Sequence, residues 1–143
     1  MLPIPARRGF TLLELMFVLI ILAALTYMVV PRFSGRVRKA RITSARMDVS
    51  LNIPAALDMY ELDNGVFPNT EQGLGALIDE PATQPVPPNW DGPYVRRPVL
   101  PRDPWGNPYV YRCPPSERGV DYDLLSVGPD GIEGTIDDIT NWE

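Results

Sequence analysis

Arg7-Arg8-Gly9-Phe10-Thr11-Leu12-Leu13-Glu14, then an apolar run to Val30 and Pro31 behind it, is the stretch on which the reading of this chain turns. From Phe10 to Val30 the only charged residue is Glu14. The run is close to the ~20 apolar residues that a helix needs to cross a bilayer, so residues 10–30 are predicted to form a transmembrane helix. A carboxylate in such a helix is costly, about 2.5–3.5 kcal/mol at its centre on insertion scales, and asks for a cationic partner. A plain signal anchor explains the run but not Glu14. A secretory signal peptide needs a shorter apolar core and a small-residue cleavage box; Ala23-Ala24 is a weak one, and the run continues past it to Val30. A twin-arginine export signal fits Arg7-Arg8 but not a carboxylate inside the apolar core.

Gly9-Phe10-Thr11-Leu12-Leu13-Glu14 resembles the cleavage and methylation motif of type IV pilins and pseudopilins, and that resemblance outweighs the other three readings. It implies that a membrane-embedded prepilin peptidase cuts after Gly9 and N-methylates the new N-terminal Phe10. It also implies that Glu14 pairs with the N-terminus of a neighbouring subunit during assembly. The physical chemistry agrees: cleavage frees an α-amino group at Phe10, and a cation of this kind makes a buried carboxylate tolerable.

Outside this stretch the composition removes several classes of function. The chain has 143 residues, and without a leader (1–9) and a membrane segment (10–30) about one small domain remains, residues 31–143. A net charge of −5 argues against nucleic-acid binding. The absence of histidine excludes His-based triads and HExxH zinc sites. Cys113 is the only cysteine, so no intramolecular disulfide exists, and it is predicted to be a half-buried strand residue. A small extracytoplasmic domain without disulfides often uses a metal instead.

Arg7 and Arg8 precede the run, and Arg32, Arg36, Arg38, Lys39, Arg41 and Arg46 follow it. Counting positive charges alone puts the C-terminal side in the cytoplasm; the resemblance implies the reverse, with the leader inside and the body in the periplasm. The basic stretch reads equally as a solvated face or as one close to anionic lipid.

Pro31 is predicted to kink or open the helix. A continuing helix is predicted from Phe33 to about Asp63, with Phe33, Val37, Ala40, Ala45, Val49, Ile53, Ala56, Leu57 and Tyr60 on one face. Pro54 either kinks it or begins a new helix in its first turn, and Gly65 ends it. Thr70 is expected to cap a short helix that points Leu74, Leu77 and Ile78 at the core. The proline-rich segment 81–101 is expected to be an ordered surface loop anchored by Trp90 and Tyr94. Asp103 to Pro108 reads as a turn. Two strands, Tyr109–Arg112 and Asp121–Val127, are expected to pair antiparallel through a connection over Pro114 to Gly119.

The acidic tail forms the second chemical site. Asp130 is followed seven residues later by Asp137 and then Asp138, among Gly128, Gly131 and Gly134. Hard oxygen donors on a Gly-rich loop suit Ca²⁺, which takes six to eight oxygens; plain Asp-Gly surface turns account for the same residues equally well. The spacing is not that of an EF-hand.

Three segments stand in the order found in one pilin-like subgroup: Asn64 to Leu74, Asp103 to Asn107, and Ser126 to Gly131 continuing through Asp137 to Trp142. The chain is similar over nearly its whole length to the major pseudopilins of the type II secretion system, the G-type subunits. It departs from them at Pro54 and in its longer proline-rich loop. The resemblance implies an α+β pilin fold: a long N-terminal helix, its first half transmembrane, carrying a small C-terminal antiparallel β-sheet with a calcium-binding loop. It implies calcium ligation by Asp130, Asp137 and Asp138 with backbone carbonyls completing the shell, Glu133 standing apart. It implies that Asp58 pairs with Arg97 or Arg96 of an adjacent subunit; an unpaired helix charge explains Asp58 as well.

The expected function is structural rather than enzymatic. Copies would form a homopolymer, a periplasmic pseudopilus, after processing by the prepilin peptidase. Its partners would be minor pseudopilins, an inner-membrane assembly platform and a cytoplasmic ATPase, and the filament would drive folded proteins through an outer-membrane channel. A type IV or competence pilus subunit, and a membrane-tethered calcium-binding module that never polymerises, are the two alternatives.

Overall fold

Proline and glycine punctuate the helical part of the chain. The computed structural model describes residues 9–116 and 121–142, with the side chains of 28–34 outside that description. The expected leader therefore lies outside the described residues, apart from Gly9. The first helix, α1, is Leu12–Met47. It is helical without a break through position 31, where the sequence predicts a kink or opening. One π-helical turn, Asp48–Asn52, follows, and α2, Ile53–Asn64, starts from it. Pro54 thus sits in the first turn of α2, directly after the π-helical turn, whose Ile53 N–H reaches back five residues to the Asp48 carbonyl. Gly65 closes α2 with φ +77° and gives its N–H to the Glu61 carbonyl at 2.6 Å, the left-handed cap expected of it.

The chain divides into two compact units between Lys39 and Ala40. In the second, Ala45, Val49, Ile53, Ala56, Leu57 and Tyr60 form one buried helical face. Against it pack Leu74 and Leu77 of a 3₁₀ turn, Gly73–Leu77, and Tyr109, Tyr111, Tyr122, Leu124 and Ile139. The buried face is shorter than predicted. Val37 and Ala40 are exposed, because the core is supplied by Ala45 and later residues, and the Phe33 side chain lies outside the described ones.

The short helix is a second correction. Thr70 does not cap it. Asn69 Oδ1 accepts the Gln72 N–H at 2.8 Å, and Gln72 Oε1 accepts the Asn69 N–H at 3.0 Å, a reciprocal box one residue earlier. Thr70 instead stitches to Cys113: its hydroxyl accepts the Cys113 N–H at 2.9 Å and its own N–H goes to the Cys113 carbonyl at 3.0 Å. The proline-rich segment is held as expected. Trp90 Nε1 donates to the Ala76 carbonyl at 2.8 Å, and Tyr94 N to the Leu77 carbonyl at 2.8 Å.

The sheet is antiparallel in the order β1 (Val110–Arg112), β2 (Asp123–Ser126), β3 (Ile139–Thr140). Tyr111 stands opposite Leu124, and Ser126 opposite Ile139. Residues 117–120 of the β1–β2 connection lie outside the described part. The third strand was not expected; Asn141 fixes it by donating its N–H to the Leu124 carbonyl and accepting the Leu124 N–H on Oδ1, both at 3.0 Å. Cys113 is partly buried, as predicted, but it lies just past β1 rather than in a strand, because the ladder ends at Arg112.

Candidate functional site

At the N-terminal end, Thr11 caps α1: the Glu14 N–H reaches the Thr11 hydroxyl at 3.2 Å and the Thr11 carbonyl at 3.1 Å. This is the Thr-x-x-Glu arrangement that starts a helix, and it places Glu14 in the first turn, where the helix dipole favours a negative charge. Gly9 and Phe10 precede the cap outside any helix or strand. Phe10 is 81% exposed, and a Cβ added at Gly9 meets nothing within 4 Å. From Leu12 to Tyr27 every side chain is exposed, apolar on all sides of the helix. Thr26 answers its own hydroxyl by donating to the Leu22 carbonyl at 2.8 Å. A helix apolar all round buries itself in lipid or among other helices. Among the described residues no helix is long and apolar enough to cross a membrane; the described side chains of the apolar run stop at Tyr27.

At the other end, the loop from Val127 to Asp138 connects β2 to β3 and carries the predicted carboxylates, each hydrogen-bonded to a backbone N–H of the loop. Asp137 Oδ2 accepts the Asp130 N–H at 3.3 Å, and Asp137 Oδ1 takes the Thr135 hydroxyl at 2.6 Å. Those bonds, the Thr135 hydroxyl first, hold the Asp137 carboxyl below the usual range. Asp138 Oδ2 accepts the Gly134 N–H at 2.7 Å, while its Oδ1 is buried without a hydrogen-bond partner. A buried carboxylate oxygen without a donor is expensive, so it calls for a cation. Gly128, with φ +65°, completes the cradle: a Cβ there would stand 2.5 Å from the Asp137 carbonyl oxygen and 2.8 Å from its Oδ2. Among the described residues, no three acidic, His or Cys side chains are gathered closely enough to hold a metal by themselves. The donors present are all oxygens, which fits a hard cation that also takes backbone carbonyls. Glu133 is turned away into an ion pair with Arg112 at 2.6 Å.

Sequence reasoning missed the group that braces this loop. Asp103 is buried and accepts the Trp105 N–H at 3.1 Å, the Asn107 N–H at 2.7 Å and the Ser126 hydroxyl at 2.7 Å. Asn107 Nδ2 then donates to the Gly128 carbonyl at 3.1 Å. The Asp-Pro-Trp-Gly-Asn turn is thus the support of the acidic loop. The available signal was an Asp four residues before an Asn, an Asx-type turn whose side chain could bond its own backbone.

Asp58 and Arg97 are both exposed and do not pair within one chain. Asp58 lies near Tyr122, whose hydroxyl is pushed up to about 12, first by burial and then by the Asp58 charge.

A family profile described as "Type II secretion system (T2SS), protein G" matches residues 32–142, and one described as "Prokaryotic N-terminal methylation motif" matches residues 4–29. The type II secretion system core protein G of Pectobacterium carotovorum subsp. carotovorum is 49% identical over 138 residues, covering 95% of this chain and 85% of that protein. That of Escherichia coli (strain K12) is 49% identical over 137 residues, covering 95% and 91%. A crystal structure of the major pseudopilin from the type 2 secretion system of enterohaemorrhagic Escherichia coli superposes with a TM-score of 0.66 at 45% identity, covering 76% of this chain and 87% of that one.

Proposed function

The chain belongs to the type II secretion system protein G family and is a structural subunit of the pseudopilus, and from that premise we propose how its parts serve assembly. The prepilin peptidase cuts after Gly9 and methylates Phe10; the chain is that enzyme's substrate and performs no chemistry of its own. Residues 10–30 anchor the subunit in the inner membrane, with residues 31–143 in the periplasm. On assembly the same helix leaves lipid for the apolar surface of neighbouring copies, and Glu14 meets the Phe10 ammonium of one of them. Asp58 pairs with Arg97 of an adjacent subunit. Minor pseudopilins and the inner-membrane platform direct the growth that drives export of folded proteins.

The observation that carries this reading is α1 itself: a capped helix, apolar on every side, whose charge up to Tyr27 is Glu14 alone. A pilus of the type IV class would use the same helix, but the match over residues 32–142 favours the secretion subunit.

The β2–β3 loop takes a calcium ion through Asp130, Asp137 and Asp138. The lone Oδ1 of Asp138 and the close approach that only Gly128 permits support this assignment. Bound calcium supplies positive charge against which three carboxylates can close. Asp103 and Asn107 hold the loop in place from behind, and Arg112 keeps Glu133 out of the site.

Glu14→Ala tests the assembly role. The variant is expected to insert into the membrane, since removing a charge favours insertion, and to fail to build filaments of normal length. Normal filaments from Glu14→Ala, seen by electron microscopy of sheared cells, would remove Glu14 from assembly.

A further inference from the structure

The helical face opposite the core is apolar too. Leu51, Ala55 and Met59 are exposed and succeed one another at four-residue steps, so they align along the outside of α2 and the turn before it. With Val99 and Leu100 they line an open groove of about 900 Å³, in the size range of clefts that take a ligand or an anchoring segment. Arg96 and Arg97 line it as well; both are exposed, and neither has an ion pair among the described residues.

The β2–β3 loop has the complementary character. Ile136 is 106% exposed and Ile132 61%, on a segment that carries Asp130, Glu133, Asp137 and Asp138. Neither isoleucine lines the groove of its own chain. Among the described residues neither isoleucine belongs to the buried core.

We infer that Ile132 and Ile136 of one subunit dock in the α2 groove of a second copy of this chain, with Arg96 meeting the loop's carboxylates. The apolar tip matches the apolar floor, and a smaller charge match remains: the loop's four carboxylates outnumber the charge of one calcium ion and Arg112 by one, and the two arginines of the groove outnumber its Asp48 by one. The rim holds one arginine more than the Asp58 pairing takes up. Two different surfaces meet, so the contact is head-to-tail and propagates into an open assembly rather than closing into a dimer. The inference rests on the pseudopilus reading and specifies which faces touch.

The test uses the full-length chain expressed with its secretion apparatus, with Cys113→Ser as background. Ile136→Cys combined with Val99→Cys should give a ladder of covalent multimers under mild oxidation, because each copy carries both halves of the contact. Each single variant should give none. The double substitution Ile132→Ser/Ile136→Ser should lower filament yield by roughly tenfold or more, given what burial of an isoleucine contributes, with an unchanged melting temperature. Filaments without the ladder, a disulfide dimer from the Ile136→Cys variant alone, or full filament yield from the Ser variant would each overturn the docking and leave the pseudopilus reading standing. No filaments from the unaltered chain would overturn both.

Discussion

Two helical stretches of this chain use apolar residues in opposite ways. In α2 and the turn before it, Val49, Ile53, Ala56, Leu57 and Tyr60 are buried against the sheet and the 3₁₀ turn of the same chain. From Leu12 to Tyr27 in α1, equally apolar residues are exposed throughout. The first stretch is stabilised within one subunit. Among the described residues nothing covers the second, so its free energy depends on what surrounds the subunit. Exposed apolar surface on this scale marks a membrane or protein contact. On the assembly proposed above, such a subunit would fold its domain alone and complete its burial on leaving the membrane for a filament.

The comparison can be broken most sharply by trimming one leucine from each stretch. Leu57 is fully buried, and Leu57→Ala should destabilise the domain by about 2–5 kcal/mol, the usual cost of such a core truncation. Leu19 is 58% exposed, and Leu19→Ala should change domain stability by less than about 0.5 kcal/mol while weakening filament assembly. Thermal melts of the two variants in detergent decide it. Equal losses of stability would mean that the two stretches are not separate in role.

The acidic loop allows the same question at the other end of the chain, with a smaller effect. Saturation with a cation at a hundredfold excess over Kd stabilises by about 2.7 kcal/mol. Chelation should therefore lower the melting temperature of the domain and open the segment from Gly131 to Gly134 to protease. Asp138→Ala or Asp137→Ala should abolish the response, whereas Glu133→Ala, which breaks only the pair with Arg112, should keep it. Melting curves and calorimetry identical in calcium and in chelator would remove the metal from the account.

An effect confined to alkaline pH concerns the aromatic layer beneath the sheet. Burial raises the Tyr109, Tyr111 and Tyr122 hydroxyls from the ordinary value of 10.0, Tyr122 to about 12. Above pH 10 the unfolded chain loses these protons while the folded domain keeps them. Their contribution is therefore complete below pH 10 and is lost as pH rises toward 12, on the order of 1 kcal/mol per pH unit for each tyrosine. Denaturant melts from pH 9 to 11.5 should show this decline, with no parallel change in the helicity of α1. A flat profile would contradict the burial of the layer.

What could be read from the sequence follows the range of the forces involved. Short-range signals were legible. Pro54 in a first helical turn, Gly65 as a left-handed cap, and the 3.6-residue period of Ala45 to Tyr60 each depend on local sterics or on one helical face. Long-range competition was not. Thr70 looks like a cap, but the distant backbone of Cys113 takes its hydroxyl, and the Asn69–Gln72 box closes the turn before the 3₁₀ segment instead. β3 is two residues long, and its pairing rests on Asn141, far from β2 in sequence. Of the acidic loop, composition and family likeness single out the three aspartates, whose role as ligands is a proposal. The support through Asp103 and Asn107 was not, because it exists only once the turn at 103–107 meets Ser126 and Gly128. Val37 and Ala40 continue the helical period but are exposed, since periodicity marks a face and not what covers it.

The central claim is that α1 is released from its leader so that its new N-terminus can meet Glu14 of another copy. Mass spectrometry of subunits recovered from sheared filaments tests it most directly. The account predicts a single mature species that begins at N-methylated Phe10. Filaments built from chains that still carry residues 1–9, or that begin at an unmethylated residue elsewhere in the apolar run, would contradict it.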